Sequence, residues 1–269
     1  MHSMITAQDY AAYTSEDHQV WSILYERQMN LLPALASPAF FEGIRRCGFE
    51  QHRIANFSEV NAELKKYTGF EVIAVTGLVP DKGFFEHLAL RHFPAAIWIR
   101  TMEELDYIEA PDMFHDIYGH VPLLSNEAFA DFLEGLARIA VKYVYDPTLT
   151  EMLARIYWFT VEFGLIQEPL GLRIYGAGIL SSVAESPYSL GPVPERRPFD
   201  PQTIMATSFH KDRFQDLYYV INSYEQLFES LPEIERCLAS VEQILKEKPR
   251  ATLSPNDELA AIFGVPVRA

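Results

Sequence analysis

The sequence predicts a mainly α-helical fold of the α+β class, formed by a single domain. Apolar residues recur with helical spacing in most segments, and the candidate strands are few and short. No internal repeat and no linker rich in proline, glycine or serine divides the 269 residues. We therefore expect one domain over residues 13–248, preceded by a lead-in at 1–12 and followed by a proline-marked tail at 249–269.

Most predicted elements are helices, each with a start signal or an apolar stripe. Thr14 is a candidate N-cap with acidic residues directly after it, and Asp81 is another. The second half of the chain holds a long amphipathic stripe and then a segment that is apolar on nearly all sides, which is typical of a buried helix. The predicted helices begin at Thr14, at Phe57 (ending at Gly69) and at Asp81, and continue with 126–145, 148–164 and two helices within 212–246, broken near Pro232.

Strands are predicted at only three places. These are residues 70–75, 95–99 and 172–175, which are short apolar runs. Irregular connections are expected at Gly176, at Gly178 and across the proline-rich run 187–201.

Composition and charge exclude several functional classes. The 22 basic residues against 37 acidic ones give a net charge of −15, which argues against binding a nucleic-acid backbone or an anionic membrane. The two cysteines, Cys47 and Cys237, form no CxxC motif and are most simply free thiols, which fits a reducing compartment. No signal peptide or long apolar span is recognisable. We expect a soluble, acidic, cytoplasmic protein.

Two histidines, His115 and His120, form the first candidate site. Their spacing of five places them about 140° apart on a regular α-helix, so they can share one ion only if the helix ends or unwinds between them. Gly119 and Pro122 are predicted to supply that break. The alternative is that both are ordinary, partly buried polar side chains. The zinc-protease HExxH pattern is absent.

Glu162 is the candidate third ligand, because it lies in a strongly apolar run. A buried carboxylate is normally paired or bound to a metal. Two histidines and one carboxylate form the facial triad of non-haem Fe(II) oxygenases. The competing interpretation pairs Glu162 with Arg155.

The segment that begins at Gly176-x-Gly178 is the third candidate. It lacks the remaining features of a dinucleotide-binding loop. We expect its glycines to allow close backbone approach to a ligand, and the hydroxyls of Ser181 and Ser182 to orient a ligand histidine or to bind a small polar group. An ordinary tight turn beside a strand is the alternative.

Several motifs together resemble the pterin-dependent aromatic amino acid hydroxylases, particularly the bacterial enzymes that act on phenylalanine. They are HDIYGHVP from His115, YWFTVEFGL from Tyr157 and YGAGILSS from Tyr175, flanked by YTxEDHxxW from Tyr13 and FQxLYYV from Phe214. The resemblance covers residues 13–230. It implies a helical, basket-like catalytic domain that hydroxylates L-phenylalanine to L-tyrosine with Fe(II), O2 and a tetrahydropterin.

The resemblance also assigns roles residue by residue. The iron ligands are His115, His120 and Glu162. The pterin pocket comprises Gly77, Leu78, Val79, Asp81, Phe84 and Asp116, with Phe84 stacked on the pterin ring. The substrate residues are Arg100, which holds the amino-acid carboxylate, together with Pro111, Trp158, Phe163, Gly178 and Ser181. Without the resemblance, the aromatic residues would be assigned to the core and Arg100 to the surface.

Some features of the family pattern are altered in this chain. A dozen residues before Tyr13 are too few for a regulatory domain, and the tail has no heptads, so we expect a monomer. Trp158 argues against a tryptophan hydroxylase, whereas Lys211 matches neither the phenylalanine nor the tyrosine enzymes. The alternatives are a hydroxylase of another aromatic amino acid, a metal-dependent hydrolase, and a non-catalytic ligand-binding relative.

Overall fold

The computed structural model describes residues 5–247 and 254–264. Its α-helices are α1 (Ser15–Leu31), α2 (Pro38–Cys47), α3 (Phe57–Leu64), α4 (Asp81–Leu88), α5 (Val121–Leu124), α6 (Glu127–Tyr143), α7 (Pro147–Tyr157), α8 (Ala177–Leu180), α9 (Glu185–Leu190), α10 (Pro201–Ala206), α11 (Tyr224–Glu229), α12 (Leu231–Glu247) and α13 (Pro255–Phe263). Two segments are π-helical, Phe114–His120 and Trp158–Glu162. Short 3-10 turns occur at Tyr10–Ala12, Leu32–Ala34 and Met102–Glu104.

Six strands form two small sheets. The strands are β1 (Glu71–Val75), β2 (His92–Ala96), β3 (Leu165–Glu168), β4 (Gly171–Ile174), β5 (Glu195–Pro198) and β6 (Leu217–Ile221). β1 and β2 pair in parallel, and the second sheet has the order β4-β3-β6-β5. The mainly helical prediction is confirmed.

The start of α1 was predicted correctly from local chemistry. Thr14 Oγ1 accepts a hydrogen bond from the Asp17 backbone N–H, and the Asp17 carboxylate accepts one from the Thr14 N–H at 2.7 Å. This reciprocal capping box satisfies two otherwise free donors. The Asp81 cap was wrong by one residue. Pro80 occupies the cap position without a side-chain bond, and Asp81 lies in the first turn of α4.

The two helices predicted within 212–246 are present as α11 and α12, but they begin only at Tyr224, because β6 occupies 217–221. Its residues, LYYVI, are a short run of aromatic and β-branched side chains, which periodicity alone cannot assign to a helix or a strand. Pairing with β3 and β5 decides the outcome. The two helices that follow separate at Ser230, beside the predicted break at Pro232.

Aromatic side chains of α1 and α2 pack against the first π-helical segment. Trp21 of α1 packs edge-on against Phe114 at 5.5 Å, and Tyr25 packs against Tyr118 at the same centroid distance. Phe40 of α2 contacts the other side of Tyr118, also at 5.5 Å. All five rings are buried. Two helices therefore fix the back of the segment that carries both candidate ligand histidines.

Helix α13 lies in the stretch assigned to the tail. It packs against α7, where Arg155 donates to the Asn256 side chain and Thr148 contacts Glu258. Residues 248–253 and 265–269 lie outside the described residues, so the domain boundaries remain a prediction. Within the described ranges, no helix is both long and apolar enough to cross a membrane.

Gly43 controls how closely α2 approaches the chain just after His120. A Cβ atom there would lie 2.1 Å from the Pro122 carbonyl oxygen, which belongs to the backbone and cannot rotate away. We expect Gly43→Ala to lower the free energy of unfolding by about 1–3 kcal/mol through overpacking, measured by urea denaturation.

Gly135→Ala is the matched control, because Gly135 also lies inside a helix. The added methyl would meet Leu231 Cδ1, the end of a side chain that can move. Both changes gain similar helix propensity. Equal unfolding free energies for the two variants would contradict the close-packing argument.

Candidate metal centre and active site

The two histidines lie on one continuous helix that widens into a π-helix. Phe114–His120 is π-helical, and α5 follows without interruption. A π-helix bonds residue i to residue i+5, so residues five apart lie nearer to one face of the coil than they do on an α-helix. The predicted break at Gly119 and Pro122 was therefore wrong. The coil widens instead, and the Nε2 atoms of His115 and His120 approach to 3.2 Å.

Gly119 has a packing role in this arrangement. A Cβ atom there would lie 2.9 Å from the Ala177 carbonyl oxygen, so glycine is required for α8 to pack against the π-helix.

Glu162 comes from the second π-helical segment, at the end of α7. Its Oε1 lies 3.1 Å from His120 Nε2 and its Oε2 lies 3.6 Å from His115 Nε2. The proposed pairing with Arg155 is wrong, because that guanidinium bonds Glu151 and the Met205 carbonyl. Three candidate ligand atoms thus lie within 4.8 Å of one another.

The spacing of these atoms suits one face of an octahedron. With metal–ligand bonds of about 2.0–2.2 Å, neighbouring ligand atoms lie roughly 3 Å apart. The two Nε2 atoms are 3.2 Å apart, and each lies 3.1 or 3.6 Å from its nearer Glu162 oxygen, which is close to that value. Two imidazoles and one carboxylate on one face leave the opposite positions open, the arrangement typical of non-haem Fe(II) oxygenases.

Ser181 fixes the tautomer of His115. Its Oγ lies 2.9 Å from His115 Nδ1 and donates its own proton to the Ala177 carbonyl, also at 2.9 Å. The hydroxyl oxygen must therefore accept from Nδ1–H, which leaves Nε2 unprotonated and facing the other candidate ligands. The sequence anticipated this contact.

The two glycines before Ser181 allow close packing within the chain, and their predicted approach to a ligand stays a prediction. A Cβ atom on Gly176 would lie 2.5 Å from the Glu162 carbonyl oxygen, and one on Gly178 would lie 2.8 Å from the Phe163 ring. Both glycines thus let the segment of α8 pack directly on the segment that carries Glu162.

Burial and the charges of neighbouring groups together set the protonation states at the centre. Burial lowers the pKa of His115 to about 4, so the imidazole is neutral at physiological pH, as metal binding requires. Burial alone would raise the pKa of Glu162, but the neighbouring His120 and His115 outweigh it and lower the pKa. Burial also raises the pKa of Asp116 to about 7.

A cavity of about 420 Å³ opens in front of the three candidate ligands. Among the residues assigned from the sequence, the ones that line it are His115, His120, Glu162, Gly77, Leu78, Val79, Asp81, Phe84, Asp116, Pro111 and Trp158, together with Lys211. Phe84 meets Tyr157 edge-on at 5.5 Å, and Asp116 accepts a hydrogen bond from the Ala96 N–H at 2.8 Å.

The other four assigned residues are not among those that line the cavity. Phe163 packs on Trp158 at 4.7 Å, with Gly178 behind it, and Ser181 bonds His115. Arg100 is only 7% exposed, so its assignment to the surface is excluded.

Asp112 joins Arg100 to the metal centre. Its carboxylate accepts from Arg100 Nε and Nη2 at 2.9 Å each and from the backbone N–H of Arg100 and of His115 at 3.0 Å. Burial would raise the pKa of Asp112, but the Arg100 guanidinium holds it below the usual value. Arg100 Nη1 is not engaged by Asp112.

The sequence comparisons agree with this geometry. The family model of the biopterin-dependent aromatic amino acid hydroxylases matches residues 6–245. The chain belongs to this family. Relatives of this hydroxylase include the phenylalanine-4-hydroxylase of Chromobacterium violaceum, 50% identical over 219 residues, which are 81% of this chain and 73% of that protein. The Pseudomonas aeruginosa phenylalanine-4-hydroxylase is 39% identical over 92% of this chain and 93% of its own length.

Solved structures of the C. violaceum enzyme share the fold of this aromatic amino acid hydroxylase. The form with bound oxidised Fe(III) aligns with a TM-score of 0.86 and 44% identity, over 94% of this chain and 90% of that one. The form with iron(III) and 7,8-dihydrobiopterin aligns with a TM-score of 0.83 and 46% identity, over 88% and 87%.

Several cavity residues of the hydroxylase were missed by sequence reasoning. Trp98, Tyr157 and Phe209 line the cavity, and buried Gln215 bonds the Trp158 indole N–H. Nothing in an apolar run distinguishes a ring that lines a cavity from one in the core. Gln215 stood within the quoted motif FQxLYYV, which was the one available signal.

Proposed function

We propose that this hydroxylase converts L-phenylalanine to L-tyrosine with Fe(II), O2 and a tetrahydropterin. The observation that carries the proposal is the convergence of His115, His120 and Glu162 at the inner end of an aromatic-walled cavity. The C. violaceum and P. aeruginosa relatives are phenylalanine-4-hydroxylases, which supports the same substrate.

Iron would be held by His115 Nε2, His120 Nε2 and one Glu162 oxygen. When bound, it would supply the redox chemistry that allows dioxygen to react with an aromatic ring. The chain keeps His115 neutral by burial and holds its ring orientation through Ser181. The Glu162 side chain is 14% exposed, so the surrounding chain shields the centre from most of the bulk water.

The tetrahydropterin would occupy the side of the cavity formed by the 77–79 loop and α4. The Phe84 ring lines the cavity and offers a face for stacking, and the loop backbone offers polar groups for the edge of the pterin. Asp81 and Asp116 line the same cavity and would contact polar atoms of the ring system.

The amino acid would enter against the opposite wall. Trp158, backed by Phe163, and Pro111 would hold the aromatic ring, with Gly178 and Ser181 shaping the support behind it. Arg100 Nη1 would bind the carboxylate while Asp112 holds the rest of the guanidinium. Trp158 fills space that a tryptophan substrate needs, which favours phenylalanine.

We also propose a cytoplasmic location. Cys47 and Cys237 are free in the structure, and burial raises the pKa of the Cys47 thiol to about 12. Such a thiol is unreactive and fits a reducing compartment. Cell fractionation followed by immunodetection tests this location.

The decisive assay combines purified protein with Fe(II), O2, a tetrahydropterin and phenylalanine, then omits each in turn. We expect tyrosine only in the complete mixture. A hydrolase would need neither oxygen nor pterin, and a ligand-binding relative would bind phenylalanine without consuming pterin. Tyrosine formed without oxygen would overturn the mechanism, and preferred turnover of tryptophan would overturn the substrate assignment.

Phe84→Ala should weaken pterin binding while leaving iron in place. Loss of ring stacking costs about 0.5–1.5 kcal/mol, so we expect the KM for the tetrahydropterin to rise several-fold up to about tenfold. The KM for phenylalanine should change little. Steady-state kinetics with each substrate varied separately, together with iron analysis, checks this. An unchanged pterin KM would remove Phe84 from the pterin pocket.

A further inference from the structure

The side chain of Gln215 joins one wall of the cavity to a neighbouring loop. Gln215 is 3% exposed, and its Oε1 accepts a hydrogen bond from Trp158 Nε1 at 3.1 Å. Its Nε2 donates to the carbonyl oxygens of His210 and Arg213 at 2.7 and 3.3 Å. The amide thus uses its acceptor and both donors at once.

The loop held in this way contributes two groups to the cavity. Phe209 stacks on Trp158 at a centroid distance of 4.4 Å and an interplanar angle of 21°. Lys211 Nζ lies 5.7 Å from the centre of the Phe209 ring, and both residues line the cavity. The Gln215 amide therefore supports both the Trp158 indole and the loop that carries Phe209 and Lys211.

The backbone of Gln215 is anchored on the side away from the cavity. Its N–H donates to Glu185 Oε1 at 3.4 Å, and the same oxygen accepts from the Tyr218 hydroxyl at 2.7 Å. Glu185 is 7% exposed. The Gln215 backbone is thus held in place through Glu185, and its side chain in turn fixes the position of the Trp158 indole.

The other polar contacts of the loop lie among exposed groups, including a hydrogen bond of 2.7 Å between Arg213 Nη2 and His210 Nε2. His210 and Arg213 approach the Asp216 carboxylate at 4.0 and 3.7 Å, and that carboxylate is 74% exposed. Exposed ion pairs of this kind contribute little. The Gln215 amide is thus the buried polar link that sets the distance between Trp158 and the 209–213 loop.

We propose that Gln215 is a positioning residue that sets the width of the aromatic subsite and thereby its preference among aromatic amino acids. The inference rests on the proposed function, whose ring-binding wall is Trp158. Without the amide, the indole N–H and two loop carbonyls lose their partners, and the Phe209–Trp158 stack can shift.

Gln215→Met tests this, because it keeps the side-chain length and removes all three side-chain bonds. A displacement of about 1 Å at a reacting ring costs up to about 100-fold in rate, so we expect kcat/KM for phenylalanine to fall by about 10- to 100-fold. The ratio of kcat/KM for phenylalanine over tryptophan should fall, and less tyrosine should form per tetrahydropterin consumed. Iron content should stay unchanged.

A double-mutant comparison separates positioning from general damage. In a Trp158→Phe background the indole donor is absent, so Gln215→Met should alter the phenylalanine-to-tryptophan ratio less than it does in the wild type. If Gln215→Met does not fold, Gln215→Glu replaces it, since an ionised carboxylate still accepts from Trp158 and loses both donated bonds.

Gln8→Met is the matched control. The Gln8 side chain also bonds backbone groups: its Nε2 donates to the Ala55 carbonyl at 3.0 Å, and its Oε1 accepts from the Phe57 N–H at 2.8 Å. These contacts lie away from the cavity. The kinetics of this variant should match those of the wild type. A Gln215 variant with lower stability but unchanged substrate and product ratios would overturn this inference alone, whereas a wild type that hydroxylates no aromatic amino acid would overturn the proposed function and this inference together.

Discussion

Glu162→Gln should give a folded protein that binds almost no iron and forms almost no tyrosine. The amide keeps the size of the side chain but loses the negative charge and is a poorer ligand. Outer-shell changes already lower metal affinity by about 10–100-fold, so loss of a ligand should exceed about 100-fold. His115→Ala should behave in the same way. Elemental analysis after anaerobic reconstitution, with tyrosine formation measured in parallel, checks both variants.

Glu185→Gln is the control for this experiment. Glu185 is a buried glutamate whose contacts are the Tyr218 hydroxyl and the Gln215 N–H, so its replacement should leave the iron content unchanged. Circular dichroism establishes that each variant is folded. Full iron occupancy in Glu162→Gln or His115→Ala would show that the ligand set is wrong.

Asp112→Ala should cause the largest loss of stability among the substitutions described. It leaves the Arg100 guanidinium buried without its partner and frees the backbone N–H groups of Arg100 and His115. Breaking a buried pair on one side costs about 3–5 kcal/mol. We expect a loss of that size in the free energy of unfolding by urea denaturation, and a higher KM for phenylalanine because Arg100 loses its fixed orientation.

Asp106→Ala provides a matched arginine–aspartate control. Asp106 pairs with Arg27 at 2.8 Å, but its side chain is 92% exposed. Exposed pairs contribute about 0–1 kcal/mol, so its removal should scarcely alter unfolding. Similar losses in both variants would mean that the buried position of Asp112 has no special energetic consequence.

The three residues that converge at the candidate metal centre could be predicted from the sequence better than the backbone that holds them. Residue type and apolar surroundings singled out His115, His120 and Glu162, and local capping chemistry located the start of α1. These signals depend on near neighbours in the chain. The resemblance to a family then assigned the separate motifs to one active site.

Features that depend on distant partners could not be predicted in the same way. Leu217–Ile221 becomes a strand because β3 and β5 lie beside it, and neither is adjacent in sequence. Gln215 reaches Trp158 across 57 positions. The bidentate pairing of Arg100 with Asp112 likewise exists only once the chain has folded.

The π-helix at Phe114–His120 makes the number of residues in this segment as important as their identity. Two histidines five residues apart can bind one ion only while the segment between them is π-helical. The position of each imidazole therefore depends on the helical register of the backbone. An insertion or deletion there rotates one histidine away from the other, whatever side chains remain. A change of one residue in the length of this stretch should therefore disrupt the site even when both histidines are kept.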